Sequence, residues 1–166
     1  MAKIMLFGAS SIFGVPNDVL AWLQEYTKQG HEFIVGDRKG SDSAFHRALS
    51  SIGAAQQTTI YCMDYAKNNT YDLKTKTFVT SYNEEAQQAR VESKDGSVEP
   101  FIIDSVEKEM DIPYNRQWYE FRDRQMINDC DIAIGLWDGE SKTAMHIIQL
   151  LNIKEKPCYT FSMIQS

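Results

Sequence analysis

The chain has 166 residues, 43% of them hydrophobic and 24% charged, which is enough to bury the core of one domain and too much for wholesale disorder. Its formal net charge of −6 argues against a dedicated DNA- or RNA-binding protein, because neutralising phosphates needs clustered Lys and Arg. One small anion is still allowed, since the N–H groups at a helix start can hold a single phosphate.

The opening stretch "MAKIMLFGAS" has an apolar run far too short for a signal h-region or a membrane span, so the expectation is a cytoplasmic protein with no membrane partner. Within it, "KIMLFG" (3–8) reads as a buried strand ending in glycine. A helix follows: Pro16 suits its first turn, Asn17 and Asp18 favour its positive end, and Val19, Leu20, Trp22, Leu23 and Tyr26 recur at helical spacing up to a cap at Gly30. "HEFIVG" (31–36) is a second strand, and "SDSAFHRALSSIG" a second helix with Ala44, Phe45, Ala48, Leu49 and Ile52 on one face. "TTIYCM" (58–63) is a third strand, rich in β-branched and aromatic residues.

The alternation then breaks. Residues 64 to about 115 are polar and irregular, and so long a stretch reads as an insertion or lid. "NEEAQQARVES" reads as a helix, "TFVTSY" and "EPFIID" as strands, and Tyr71, Phe78, Tyr82, Phe101 and Ile102 give the segment something to bury, in its own fold or across a two-fold contact in a homo-oligomer. Order returns with a helix over 115–130 marked by Trp118, Phe121 or Tyr119, Met126 and Ile127. It continues with a buried strand (131–139), a helix (141–156) and a last strand (157–164). Cys62, Cys130 and Cys158 lie far apart with no CxxC pair, which points to reduced, buried thiols rather than a disulfide or zinc site, and no metal or cofactor is expected.

Strands alternating with helices imply a Rossmann-like α/β sandwich, a mostly parallel sheet of about five strands in the order 3-2-1-4-5, in one domain covering 1–166. Ligands in such sheets sit outside the carboxyl ends of the strands, where three loops converge. In "GASSIFG", Gly8 turns off the strand and Ser10 and Ser11 offer hydroxyls, in a ligand site or in an ordinary strand-to-helix turn. In "GDRKGSDSAF", Gly36 and Gly40 can expose N–H groups as an anion nest, and Arg38 and Lys39 can meet phosphate or simply stay solvated. Ser41 or Asp42 is the candidate helix cap there, and Asp42 is equally a candidate acceptor for a ribose hydroxyl. In "LWDGESKT", Asp138 is the best candidate for a functional carboxylate, against a turn-forming role beside Gly139. Ser141 caps or binds, Thr143 adds a hydroxyl, and Trp137 stacks on a base or fills the core.

At these loops the sequence resembles the SLOG superfamily, which unites the Smf/DprA proteins with the LOG cytokinin-activating enzymes. It is most similar to short bacterial and phage members of YspA-like type. The stretches "FGASSI", "GHEFIVGDRKGSDSAFHRAL", "TTIYCM…NN" and "WYEFRDRQMINDCDIAIGLWDGESKTAMHIIQLL" carry the resemblance. It implies a Rossmann-like sheet and a nucleotide pocket lined by Gly8, Ser10, Gly36, Gly40, Asp42, Asp138, Gly139, Ser141 and Thr143. Ser10 stands where such relatives often carry arginine, and the PGGxGTxxE signature of the phosphoribohydrolase branch is absent.

The resulting expectation is a module that binds a nucleotide or nucleotide-derived signal. The alternative is an enzyme acting on an N-glycosidic bond, with Asp138 stabilising an oxocarbenium-like transition state or activating water, assisted by Asp42 or Glu140. Single-stranded DNA binding is the third reading, disfavoured by the acidic charge.

Overall fold

The computed structural model describes residues 1–63, 73–83, 88–93, 98–102 and 117–163; of these, Met63, 76–83, 88–93, 98–102 and 117–121 are described by backbone alone. Two strand–helix units and a third strand come first: β1 (Lys3–Gly8), α1 (Asn17–Lys28), β2 (Glu32–Val35), α2 (Ser41–Ser51) and β3 (Thr58–Met63). Then come β4 (Lys74–Asn83), β5 (Gln88–Ser93) and β6 (Val98–Ile102), followed by α3 (Gln117–Asp129), β7 (Ile132–Trp137), α4 (Lys142–Ile153) and β8 (Cys158–Ser162). All described strands join one sheet in the order β6-β5-β4-β3-β2-β1-β7-β8.

The five strands read from periodicity keep the expected order, as β3-β2-β1-β7-β8, and all pair in parallel. Within the segment after β3, the expected strand "TFVTSY" lies in β4 and the described part of "EPFIID" in β6. β4 adds in parallel to β3, and β5 and β6 follow antiparallel at the edge. The stretch Gln88–Ser93, expected to be helical, is the middle strand of this meander, paired on both sides. Tyr71 and the side chains of Phe78, Tyr82, Phe101, Ile102, Trp118, Tyr119 and Phe121 lie outside the described set.

Burial on both faces follows the two-residue period of the strands. Ile4 and Leu6 of β1, Phe33 and Val35 of β2, Ile60 of β3 and Leu136 of β7 pack with Val19, Leu23, Phe45 and Leu49, which places α1 and α2 on one face. The alternate residues Met5, Phe7, Ile34, Tyr61 and Ala133 pack with Met126, Ile127, Ala144, Ile147 and Leu151, which places α3 and α4 on the other. The result is a Rossmann-like three-layer sandwich. The chain leaves β1 toward one face and β7 toward the opposite face, so the carboxyl ends of these neighbours form a switch point. Gly135 faces Phe7 across this pair, where an added Cβ would stand 2.4 Å from the ring.

Helix ends follow their local chemistry. α1 closes with Gly30 at φ +81°, its N–H on Thr27 O and that of His31 on Tyr26 O. Lys156 Nζ donates to the carbonyls of Ile127, Asn128 and Cys130, covering the end of α3. Cys62 and Cys130 are buried and Cys158 is half-buried, all three as free thiols. Among the described residues no helix is long and apolar enough to cross a membrane.

Candidate functional site

The loop after β1 is the hub of the sheet's carboxyl rim. Ser41 Oγ donates to Ala9 O at 2.6 Å, and the Ser41 N–H reaches the same carbonyl. Arg47 Nη2 holds the Phe13 carbonyl at 2.6 Å. On the other side Ser11 Oγ donates to Asp138 Oδ2 at 2.7 Å, linking the loops after β1 and β7. The glycines here serve close approach. A Cβ on Gly8 would stand 2.5 Å from Ser41 Oγ, and one on Gly40, whose φ is +84°, would stand 2.2 Å from Ser10 O.

Two expected helix caps resolve differently. Gly40 holds the cap position of α2 with no side-chain cap bond, because Ser41 turns to Ala9 and Asp42 Oδ2 accepts the Arg38 N–H at 3.0 Å. Ser141 does cap α4, accepting the Ala144 N–H at 3.2 Å.

A cavity of about 60 Å³ opens where these loops meet α3, lined by Gly8, Ser10, Arg38, Lys39, Asp42, Arg122, Asp123, Ser141 and Thr143 over an apolar base of Phe7, Met126 and Ile147. That volume holds a few waters or one compact anion such as a phosphate group, not a whole nucleotide. Its back wall is ionic. Arg122 donates to Asp37 Oδ1 and, at 2.8 Å, to Asp123 Oδ1, and its Nη2 lies 3.9 Å from Asp42 Oδ2. Arg38 pairs with Asp123 at 3.5 Å. The three carboxylates around Arg122 hold its guanidinium firmly protonated. Burial pushes the Asp42 carboxyl up to about 6, against the lowering pull of Arg122 and the Arg38 N–H. Burial also lowers the pKa of His46, which stays neutral and donates from Nε2 to Gly36 O at 2.7 Å.

Gly36 is therefore not an open nest: a Cβ there would meet Asp42 Oδ2 at 2.6 Å and the Arg122 guanidinium at 2.7 Å. Gly8, Ser10, Gly36, Arg38, Lys39, Asp42, Ser141 and Thr143 converge on this cavity. Gly40 and Ser41 are buried behind it. Ser11 and Asp138 line a separate groove of about 600 Å³ with Ile12, Phe13, Val15 and Met163. Trp137 and Gly139 border a third depression, beside Met145 and His146.

Asp138 performs the turn-forming role. Oδ1 accepts the N–H groups of Glu140 and Ser141, both at 2.8 Å, and these bonds with the Ser11 hydroxyl hold its pKa below the usual carboxylate range. A carboxylate held ionised in this way is a weak general base. Sequence reasoning left out Arg122, Asp123 and Asp37. The signal for Arg122 and Asp123 was "FRDRQM", where charged residues sit next to the apolar Met126 and Ile127 in a helix that must be buried. Among the described residues, no group of three or more His, Cys, Asp or Glu is placed to hold a metal ion.

No protein-family model matches this chain, nor does any curated protein or any solved structure.

Proposed function

We propose that this protein binds a nucleotide or nucleotide-derived small molecule, as a sensor or sequestering module of the SLOG type. The observation that carries the reading is the polar cavity at the switch point, where Ser10, Arg38, Lys39, Ser141 and Thr143 face a space of phosphate size at the starts of α2 and α4. The wide groove beside it, reached across one residue of the first loop, offers room for the rest of such a ligand. The SLOG-like stretches supply the residues of the cavity, and Ser11, Ile12 and Asp138 of the groove.

Calorimetric titration with mononucleotides, cyclic oligonucleotides and ADP-ribose tests this. Saturable binding of one class is expected, weakened about tenfold by Lys39→Ala, which removes one charge-assisted contact. No affinity for any of them overturns the proposal. Cytoplasmic location and assembly as a homo-oligomer belong to the same reading. Self-association is supported by the exposed Tyr159 and Trp22 near the β8 edge, and sedimentation velocity reads it directly.

One observation favours a second reading, cleavage of an N-glycosidic bond. Asp42 faces the cavity with a carboxyl raised to about 6, the range of a general acid or base at neutral pH. In this reading Asp42 rather than Asp138 moves the proton, and release of free base that is lost in Asp42→Asn is its test.

A further inference from the structure

The groove of about 600 Å³ beside the cavity has an apolar floor and one polar wall. The floor is Ile12, Val15, Pro16 and Met163. Phe13 stands at its side, 68% exposed as a residue, while Arg47 pins its carbonyl. A large aromatic ring held at its backbone and left open to solvent is a stacking platform for another planar ring.

The polar wall is Ser11 and Asp138, and its hydrogen-bond inventory is one-sided. Asp138 stays ionised, so it only accepts. Its Oδ1 is filled by two N–H groups, and its Oδ2 takes one bond, from Ser11, leaving one acceptor position. The Ser11 hydroxyl has given its only hydrogen to Asp138, so toward the groove it too presents lone pairs alone. The two side chains of the wall therefore offer neighbouring acceptors and no side-chain donor.

We propose, building on the nucleotide-binding reading above, that this groove is a base subsite selective for amino-substituted rings, with Phe13 stacking on the base and Asp138 Oδ2 and Ser11 Oγ accepting the two hydrogens of its exocyclic amine. A keto-substituted ring in the same place turns a carbonyl oxygen toward these two side-chain acceptors. Adenine and cytosine fit this wall, whereas hypoxanthine and uracil do not. Selectivity arises as much from the repulsion of the wrong ring as from attraction of the right one. The wall is open to water, which limits the discrimination to about tenfold rather than the far larger factors of a sealed polar site.

The test is calorimetry with two matched pairs, adenosine against inosine monophosphate and cytidine against uridine monophosphate. Sugar and phosphate are constant within each pair. The amino member is expected to bind about tenfold tighter in both pairs. In the Asp138→Asn variant the side-chain oxygen can keep the turn while its NH2 faces the groove, so the preference is expected to vanish or reverse. Ser11→Ala is expected to narrow it without touching the turn. Equal affinities within both pairs, with binding intact, overturn the base subsite and leave the nucleotide reading standing. No binding by any of the four overturns the base subsite, and if cyclic oligonucleotides and ADP-ribose also fail to bind, the nucleotide reading falls with it.

Discussion

Arg122 of α3 donates to Asp37 at the end of β2 across 85 residues of sequence, and their side chains are 2% and 0% exposed. The whole extra edge of the sheet intervenes in the chain between them. The contact ties the helix that re-enters after the β4–β6 meander to the loop that shapes the cavity. Removing Arg122 leaves Asp37, Asp42 and Asp123 facing one another without their shared cation. Arg122→Met is expected to cost about 3–5 kcal/mol in urea unfolding, the usual penalty for stranding buried charge. Adding Asp37→Asn is expected to recover part of it. A loss below about 1 kcal/mol for the single variant contradicts this role.

Two glycines with positive φ separate backbone strain from steric closure. Gly53, at φ +78°, has open space where a Cβ would go, so Gly53→Ala is expected to cost about 1–2 kcal/mol from conformation alone. A Cβ on Gly40, at φ +84°, would stand 2.2 Å from the Ser10 carbonyl oxygen, a main-chain group that cannot turn aside. Gly40→Ala is expected to cost at least about 2 kcal/mol more, because the first two loops must separate. Thermal unfolding of the two variants side by side reads the difference, and equal losses contradict the packing described.

Asp42 makes stability depend on pH. Its carboxyl is raised from an ordinary 3.8 to about 6, so the folded protein holds a proton that the unfolded chain releases between those values. The favourable contribution is complete below about pH 4 and is lost as pH rises through 6, on the order of 2–3 kcal/mol in all. His46 acts in the opposite sense. Its lowered pKa contributes stability above the ordinary histidine value of 6.5, which is lost as pH falls below it. The difference between the wild type and Asp42→Asn isolates the first effect. Relative to that variant, the wild type is expected to lose stability from pH 4 to 7, and parallel curves contradict it.

The same proton governs the cavity. An anion entering it meets Asp42 beside Arg38 and Lys39. Affinity for sulfate, which keeps its two charges over this range, is expected to rise as pH falls from 7.5 toward 5.5, with less change in Asp42→Asn. Affinity that does not vary with pH contradicts a shared site.

The core strands were legible because their two faces bury alternate residues so strictly, as Ile4 and Leu6 against Met5 and Phe7 show. The three loops were legible from glycines at strand ends. What those glycines do was not, since a residue without a side chain reads the same whether it frees an N–H or admits a neighbour. Gly36 admits Arg122, and only the folded chain reveals it. Gln88–Ser93 was misread because its Gln, Ala, Arg and Glu favour helices, and pairing on both sides overrides that preference. Arg122 and Asp123 were missed because charged residues on a helix ordinarily mark its wet face, while here each is 5% exposed or less.

The central claim is that the rim cavity holds the anionic end of a small ligand. Two-dimensional NMR of amide-labelled protein titrated with adenosine monophosphate tests it most directly. The account predicts saturable shifts concentrated at Gly36–Asp42, Ser10–Ser11 and Ser141–Thr143, growing larger as pH falls toward 6. Saturable shifts confined to other parts of the sheet, or none at millimolar nucleotide, would contradict it.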